Sequence, residues 1–247
     1  MTRTMYLLFG VIAYVVFFAT FLYLIAFVGD LPWVPITVDR GGVIGAPWFA
    51  ALVDVGLIAL FGVQHSVMAR PAFKRGWTRI VPEPIERSVF VLLASLMLIL
   101  LYLLWRPIPD SVWTITNEIA VVSIWTLFGI GWGIVLLSTF LLSHFELFGL
   151  TQVWRNARGG QSTNPVFRVP FFYAIVRHPL YSGFMLAFFA TPDMSVGHLL
   201  FAGAMLVYVL IAIHHEERDL VALFGDRYVD YSRRVGMLVP LVGRSRK

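Results

Sequence analysis

Two polar clusters interrupt a long apolar stretch near the C-terminal end of the chain. Arg177-His178-Pro179-Leu180-Tyr181-Ser182-Gly183 brings a guanidinium, an imidazole and a phenol close together, and Glu216-Glu217-Arg218-Asp219-Leu220 supplies paired carboxylates. Between them lies the apolar block Leu180–His214, broken at Thr191-Pro192-Asp193, where proline and aspartate mark a turn and not a helix interior. The block reads as a hairpin of two helices. An antiparallel hairpin unites its own ends, so Arg177, His178 and Tyr181 should face Glu216 and Glu217 at one depth. Pro179 suits a first helical turn, where its missing N–H costs nothing. The backbone N–H groups of that turn are then free for a ligand, and a helix N-terminus favours a carboxylate.

Beyond the glutamates, Leu220, Val221, Phe224, Tyr228 and Tyr231 recur at three- and four-residue spacing, a helical stripe that would pack the tail back over the hairpin entrance. Gly225 should end one helix and Asp226 cap the next. The stretch Arg155–Pro170, with Gly159-Gly160 and Ser162-Thr163-Asn164-Pro165, reads as a loop able to cover a site.

The elements that must position these groups are membrane helices. Of 247 residues 59% are hydrophobic and only 13% charged, which leaves too few charges to cover a large soluble core. Four segments are long enough to cross a hydrocarbon layer of roughly 30 Å, namely Met5–Val28, Trp48–Met68, Ser88–Trp105 and Ile119–Leu142. The first arm of the hairpin, Leu180–Thr191, is short for a crossing, which leaves five or six spans. The expected fold is therefore all-α: a polytopic transmembrane helix bundle of five to six spans, with a C-terminal hydrophobic hairpin and a helical tail. No repeat is evident, and residues 1–247 read as one domain. Met5–Val28 exceeds the length of a signal-peptide core and is expected to remain as the first span.

Only Arg40 and Arg106 of the 19 Lys and Arg residues fall in the first and third loops; the other 17 lie in the N-terminal tail, the Arg70–Arg87 loop, Ser143–His178 and the tail after His214. By the positive-inside rule those regions face the cytoplasm. The net charge of +5 then serves topology and contact with anionic membrane lipids, and is not a nucleic-acid footprint. The absence of cysteine removes disulfides, thiolate metal sites and a cysteine nucleophile. Asp54, well inside the second span, is either functional or a hydrogen-bonded packing partner. His198 reads as an interfacial residue, and no metal is expected. Oligomeric state leaves no mark in the sequence.

Taken together, Arg-His-Pro-x-Tyr-x-Gly at 177–183, a hydrophobic hairpin, Glu-Glu-x-x-Leu at 216–220 and Phe-Gly-x-x-Tyr-x-x-Tyr at 224–231 resemble the integral-membrane methyltransferases, the superfamily of the isoprenylcysteine carboxyl methyltransferases and phospholipid N-methyltransferases. The resemblance implies that Arg177, His178, Tyr181, Glu216 and Glu217 line a pocket for S-adenosylmethionine, with residues 177–235 forming the site. Gln64-His65-Ser66-Val67-Met68-Ala69-Arg70-Pro71 and Ser143-His144-Phe145-Glu146-Leu147-Phe148-Gly149-Leu150 extend the likeness toward the bacterial methanethiol S-methyltransferases, a group close to the NnrU-like proteins. That implies a small thiol substrate and dimethyl sulfide as product.

A glutamate pair suits the ribose diol or ammonium of such a cofactor, while Arg177, His178 and a helix N-terminus suit its carboxylate; Tyr181 suits its cation. An acceptor thiol is mostly protonated at neutral pH and reacts as the thiolate. His144, Glu146 and His65 are the candidate bases, because imidazole titrates near neutrality and both histidines sit at the expected cytoplasmic ends of their helices; His144 with Glu146 is the favoured pair. An interfacial role without chemistry is the alternative for both histidines. Two rival functions stand beside thiol methylation: methylation of a lipid amine or prenylcysteine carboxylate, and a non-enzymatic membrane factor linked to nitrogen-oxide metabolism.

Overall fold

A computed structural model describes residues 2–160 and 167–244. Its helices, in chain order, are α1 Arg3–Val28, α2 Pro47–Ala69, α3 Pro71–Trp77, α4 Glu83–Leu104, α5 Glu118–Leu141, α6 His144–Leu147, α7 Leu150–Ala157, α8 Pro179–Phe189, α9 Val196–Phe224 and α10 Asp226–Arg234; two short strands, β1 Ser111–Thr114 and β2 Asp193–Ser195, are the remaining regular elements with a 3₁₀ turn at Phe171–Ala174. Among the described residues, α1, α2, α4, α5 and α9 are long and apolar enough to cross a membrane. The helix α8 has 11 residues, about 16 Å at 1.5 Å per residue, and is too short to do so alone. The all-α polytopic bundle read from hydropathy is therefore the observed fold.

Local chemistry explains the boundaries. The side chain of Asn117 accepts from the Ala120 N–H at 3.0 Å and starts α5. Arg70 is extended, the conformation favoured before proline, so α2 stops there and Pro71 opens α3. The Arg70–Arg87 segment, expected as a loop, thus contains a helix. Likewise α7 carries regular structure to Ala157, into the expected Arg155–Pro170 loop; residues 161–166 of that loop lie outside the described ones. Gly225, with φ +57, separates α9 from α10, and it is the N-cap, a place expected for Asp226.

Contacts divide the chain into two compact units. The first comprises Met1–Val112, Ser143–Asn164 and Ser195–Phe201; the second comprises Trp113–Leu142, Pro165–Met194 and Ala202–Lys247. In the first, α1 packs on α4 and α7, and α2 on α4. Close approach there depends on glycine: a Cβ at Gly149, whose φ is +90, would lie 2.7 Å from Ser88 Oγ and 2.9 Å from Ser88 N. Phe27, Trp105 and Phe201 close the other end of this unit with ring centroids 5.7–5.8 Å apart, and the Trp105 indole donates to Val38 O at 2.9 Å. Asp54 is fully buried and accepts from the Arg106 N–H at 3.0 Å, a packing role. His198, expected at an interface, is buried instead: its backbone N–H donates to Ser195 Oγ at 2.9 Å, Ser195 bonds to Asp39, and the Asp39 carboxylate lies 3.9 Å from His198 Nδ1.

In the second unit α5 packs on α8. A Cβ on Gly131 would sit 2.7 Å from Ala187 N and 2.8 Å from Gly183 O, so these backbones touch. Trp132 packs edge-on against Phe184 and Phe188 beside that contact.

Candidate active site

The hairpin brings its polar ends together within the second unit. Arg177 Nε donates to Glu217 Oε1 at 2.7 Å, His178 Nε2 lies 3.0 Å from the same oxygen, and the Tyr181 hydroxyl donates to Glu216 Oε2 at 3.2 Å. His178 Nδ1 is 3.9 Å from Glu216 Oε2. The constellation expected from the two motifs therefore exists as one network across the turn. Its members differ in solvent access: Arg177 and His178 side chains are 3% and 4% exposed, Glu217 25% and Glu216 41%. The glutamates form the open side of the network and the basic groups its floor.

Position follows from local structure. Pro179 is the first residue of α8, which leaves His178 as N-cap and Arg177 just before the helix. Both are held by backbone: Arg177 N donates to Gly236 O at 2.8 Å and His178 N to Met237 O at 3.2 Å, in a short parallel bridge between Val176 and Gly236. The Arg177 guanidinium also donates to Ser232 O at 3.1 Å, Val235 O at 2.7 Å and Gly243 O at 3.1 Å. Arg177 is thus a clamp between Glu217 and the C-terminal segment, and that segment beyond residue 235 belongs to the site. Backbone carbonyls carry no residue-type signal, so nothing in the sequence pointed to Gly236, Met237 or Gly243.

Aromatic groups wall the network. Phe167 packs on Phe224, Tyr228 and Tyr231 with centroids 5.2–6.2 Å away, and the Tyr231 hydroxyl donates to Tyr173 O at 2.6 Å. Burial pushes the Tyr231 phenol up to about 12, with Arg177 opposing and Glu217 adding to the shift. Burial also raises Tyr173 and Tyr228, with Glu216 reinforcing the first shift and both glutamates the second, so all three phenols remain protonated donors. Tyr228 is 3% exposed and its hydroxyl has no hydrogen-bond partner among the described residues. An orphaned buried donor beside two carboxylates is costly unless a ligand or water meets it. Tyr173 escaped the sequence reading, since it lies outside the helical stripe.

The other three expected residues lie in the first unit. His144 opens α6 directly after Ser143, whose φ of +79 is rare for a residue with a side chain. Its ring is buried among Tyr14, Phe145 and Phe148, and the Tyr14 hydroxyl lies 2.8 Å from Nε2. Burial lowers its pKa from 6.5, so the imidazole is neutral at pH 7. Glu146, the expected helper, turns its carboxylate to Arg155 at 3.5 Å, both partly exposed. His65 packs between Phe61 and Phe90, with centroids 5.4 and 4.9 Å away; its Nδ1 is buried without a hydrogen-bond partner among the described residues. Among the described residues, no group of three or more His, Cys, Asp or Glu is placed to hold a metal ion.

Comparison with known proteins gives a consistent result. The chain is 45% identical to a methanethiol S-methyltransferase of Crocosphaera subtropica over 244 residues, covering 99% of this chain and 95% of that protein. It is 50% identical to the methanethiol S-methyltransferase of Mycobacterium tuberculosis over 241 residues, covering 97% and 98%. Against methanethiol S-methyltransferase 1 of Bradyrhizobium diazoefficiens the identity is 49% over 233 residues, covering 94% and 81%. No family model and no solved structure matches the chain.

Proposed function

The chain belongs to the methanethiol S-methyltransferase family, and we propose that it transfers a methyl group from S-adenosylmethionine to a small thiol, methanethiol, with dimethyl sulfide as product. The observation that carries this is the near end-to-end identity, joined to the hairpin network of Arg177, His178, Tyr181, Glu216 and Glu217. Bound S-adenosylmethionine would supply a methyl group on an electrophilic sulfonium. The residues fit such a group: Glu216 and Glu217 offer carboxylates to a diol or ammonium, and the Tyr228 hydroxyl is a donor with no partner among the described residues. Arg177 acts through Glu217, whose carboxylate it holds in place. His178 bonds the same oxygen and Tyr181 steadies Glu216. Binding and orientation are most of the protein's task, because in-line displacement needs position and a suitable field rather than a covalent intermediate.

The acceptor loses its S–H proton, its sulfur forms the new S–C bond, and the old C–S bond leaves its electron pair on the departing sulfide. His144, neutral at pH 7, is the proton acceptor, with Glu146 and His65 as the other candidate groups. Replacing His144 by alanine is expected to lower the methyl-transfer rate at neutral pH and to give part of it back at high pH, where thiolate forms unaided. A pH-independent defect would make the residue structural. The direct test of function is a substrate panel on purified protein: methanethiol should be methylated in preference to a prenylcysteine analogue or a lipid amine, and the reverse preference overturns the substrate.

The chain acts as a single methyltransferase domain in the bacterial cytoplasmic membrane, with the 177–235 region and its cofactor on the cytoplasmic face. The distribution of Lys and Arg supports this orientation. The native chain has no cysteine, so single cysteines replacing Arg75 and Arg244 report sidedness cleanly. Both are expected to resist an impermeant thiol reagent in intact cells and to react after lysis. Labelling before lysis reverses the topology.

A further inference from the structure

We propose that the turn at residues 238–242 is a lipid anchor: its apolar side chains enter the bilayer at the boundary between head groups and acyl chains, and so fix the C-terminal segment that Arg177 clamps.

The sequence of this segment is unusual for a tail outside the membrane. Residues 235–243 carry no charge and are bracketed by Arg233 and Arg234 on one side and Arg244 on the other. Val239, Leu241 and Val242 are 56%, 70% and 61% exposed, with Pro240 exposed between them. Leu241 has a φ of +69, a left-handed conformation that bulky residues avoid. Apolar groups held outward at a conformational cost point to a partner, and such a surface marks a membrane or a protein contact.

Depth selects the membrane. The turn is tied to the start of α8: His178 N donates to Met237 O at 3.2 Å, and Ser182 Oγ donates to Leu238 O at 2.7 Å. The next residue, Gly183, lies against α5, where a Cβ would meet Gly131 O at 2.7 Å and Val135 N at 2.9 Å. Val135 precedes Leu141, the last residue of the spanning helix α5, by six positions. At 1.5 Å per residue that is about 9 Å inside the end of the helix, so the turn lies beside a stretch of α5 that is within the apolar layer. All of these contacts are within the second unit.

The backbone of the turn is also prepared for an apolar surrounding, where irregular chain is tolerated only if its polar groups find partners in the protein. Met237 N donates to Val242 O at 2.8 Å and Val242 N to Val239 O at 3.1 Å, closing the turn on itself. Gly236 O accepts from Arg177 N, Gly243 O accepts from the Arg177 guanidinium, and Pro240 has no N–H to satisfy. The flanking arginines complete the pattern, since a guanidinium on a long stem reaches phosphate head groups while the apolar stretch between them goes deeper. Arg177 joins Gly243, directly after the turn, to Glu217, so lipid contact at 239–242 steadies one side of the network described above.

The test uses full-length protein reconstituted in vesicles of phosphatidylethanolamine and phosphatidylglycerol, and neither readout depends on methyl transfer. The chain has no cysteine, so Leu241→Cys and Val242→Cys each carry a single nitroxide. Leu137→Cys on α5, at a position 54% exposed, is the lipid reference, and Asp230→Cys on α10, where the side chain is 63% exposed, is the aqueous one. Relaxation at 241 and 242 should be driven by oxygen several-fold more than by a water-soluble nickel chelate, as at 137. Collision with the chelate to the extent seen at 230 overturns the anchor. Weak collision with both reagents means that protein covers the turn, a second copy or another partner, and overturns it too. The native chain supplies a check that no misfolded variant can spoil. Trypsin cleaves after Arg234 and Arg244, so 235–244 leaves as one peptide, and a carbene reagent dissolved in the bilayer should label it several-fold more than a water-soluble carbene does. Equal labelling, or a preference for the aqueous reagent, overturns the proposal.

Discussion

Glu217→Gln is expected to fold and to lose ten-fold or more in affinity for S-adenosylhomocysteine, about 1.4 kcal/mol or greater, in calorimetry on purified protein. Glutamine keeps the shape and one acceptor oxygen, so Arg177 Nε retains a neutral partner in place of the carboxylate at 2.7 Å. What disappears is the charge that Arg177 and His178 both meet, since His178 Nε2 also reaches that oxygen at 3.0 Å. His178→Ala should weaken binding as well, by loosening Glu217. Glu217→Ala should do more: it strands the nearly buried Arg177 without its carboxylate, and breaking such a pair costs about 3–5 kcal/mol. The tail that Arg177 clamps should then become susceptible to protease. Unchanged affinity in Glu217→Gln, Glu216→Gln and His178→Ala together would remove the cofactor from this network.

The second large effect concerns packing rather than chemistry. Gly131→Ala is expected to lower the apparent Tm in detergent by roughly 3–10 °C, corresponding to about 1–3 kcal/mol of overpacking. The new methyl would meet Ala187 N at 2.7 Å and Gly183 O at 2.8 Å, and backbone atoms cannot swing aside as a side chain can. Gly183→Ala should behave alike, because its Cβ would lie 2.7 Å from Gly131 O and 2.9 Å from Val135 N. Gly129 and Gly133, on the same helix, have nothing among the described residues within 4 Å of a Cβ, so alanine there is the internal control and should leave Tm unchanged or slightly raised. Because α8 begins at Pro179, next to His178, displacing α8 is also expected to weaken cofactor binding. A Gly131→Ala protein as stable as the Gly129→Ala control would mean that the two backbones are not in contact.

The five long spans, and a sixth apolar helix too short to cross alone, were legible in the sequence because hydropathy over some twenty residues is a local property that needs no partner. The union of Arg177, His178 and Tyr181 with Glu216 and Glu217 was legible for a related reason: a turn at Thr191-Pro192-Asp193 leaves a hairpin few ways to arrange its ends. The break at Gly225 and the place of Pro179 at the start of α8 followed from residue type, but the cap did not: the N-cap of α10 is Gly225, one residue before the Asp226 expected to supply it.

Tertiary structure alone decided which atoms pair. The oxygens that hold Arg177, on Ser232, Val235 and Gly243, are backbone carbonyls 55 to 66 positions away, and every residue has such an oxygen. The pairing of Glu146 with Arg155, where His144 was expected, depends on the direction in which a short helix turns its faces after the left-handed Ser143. The Tyr14–His144 bond and the burial of His198 beside Asp39 and Ser195 join residues 130 or more positions apart in the chain order of the first unit. A lone tyrosine in an apolar span, or a histidine near a helix end, looks the same in sequence whether it faces lipid, water or a partner. Composition records how much polarity a membrane helix carries, but the rotation of that helix against its neighbours sets what the polarity meets, and rotation is fixed by close contacts such as Gly149 on Ser88 and Gly131 on Ala187, which exist only once the helices have packed.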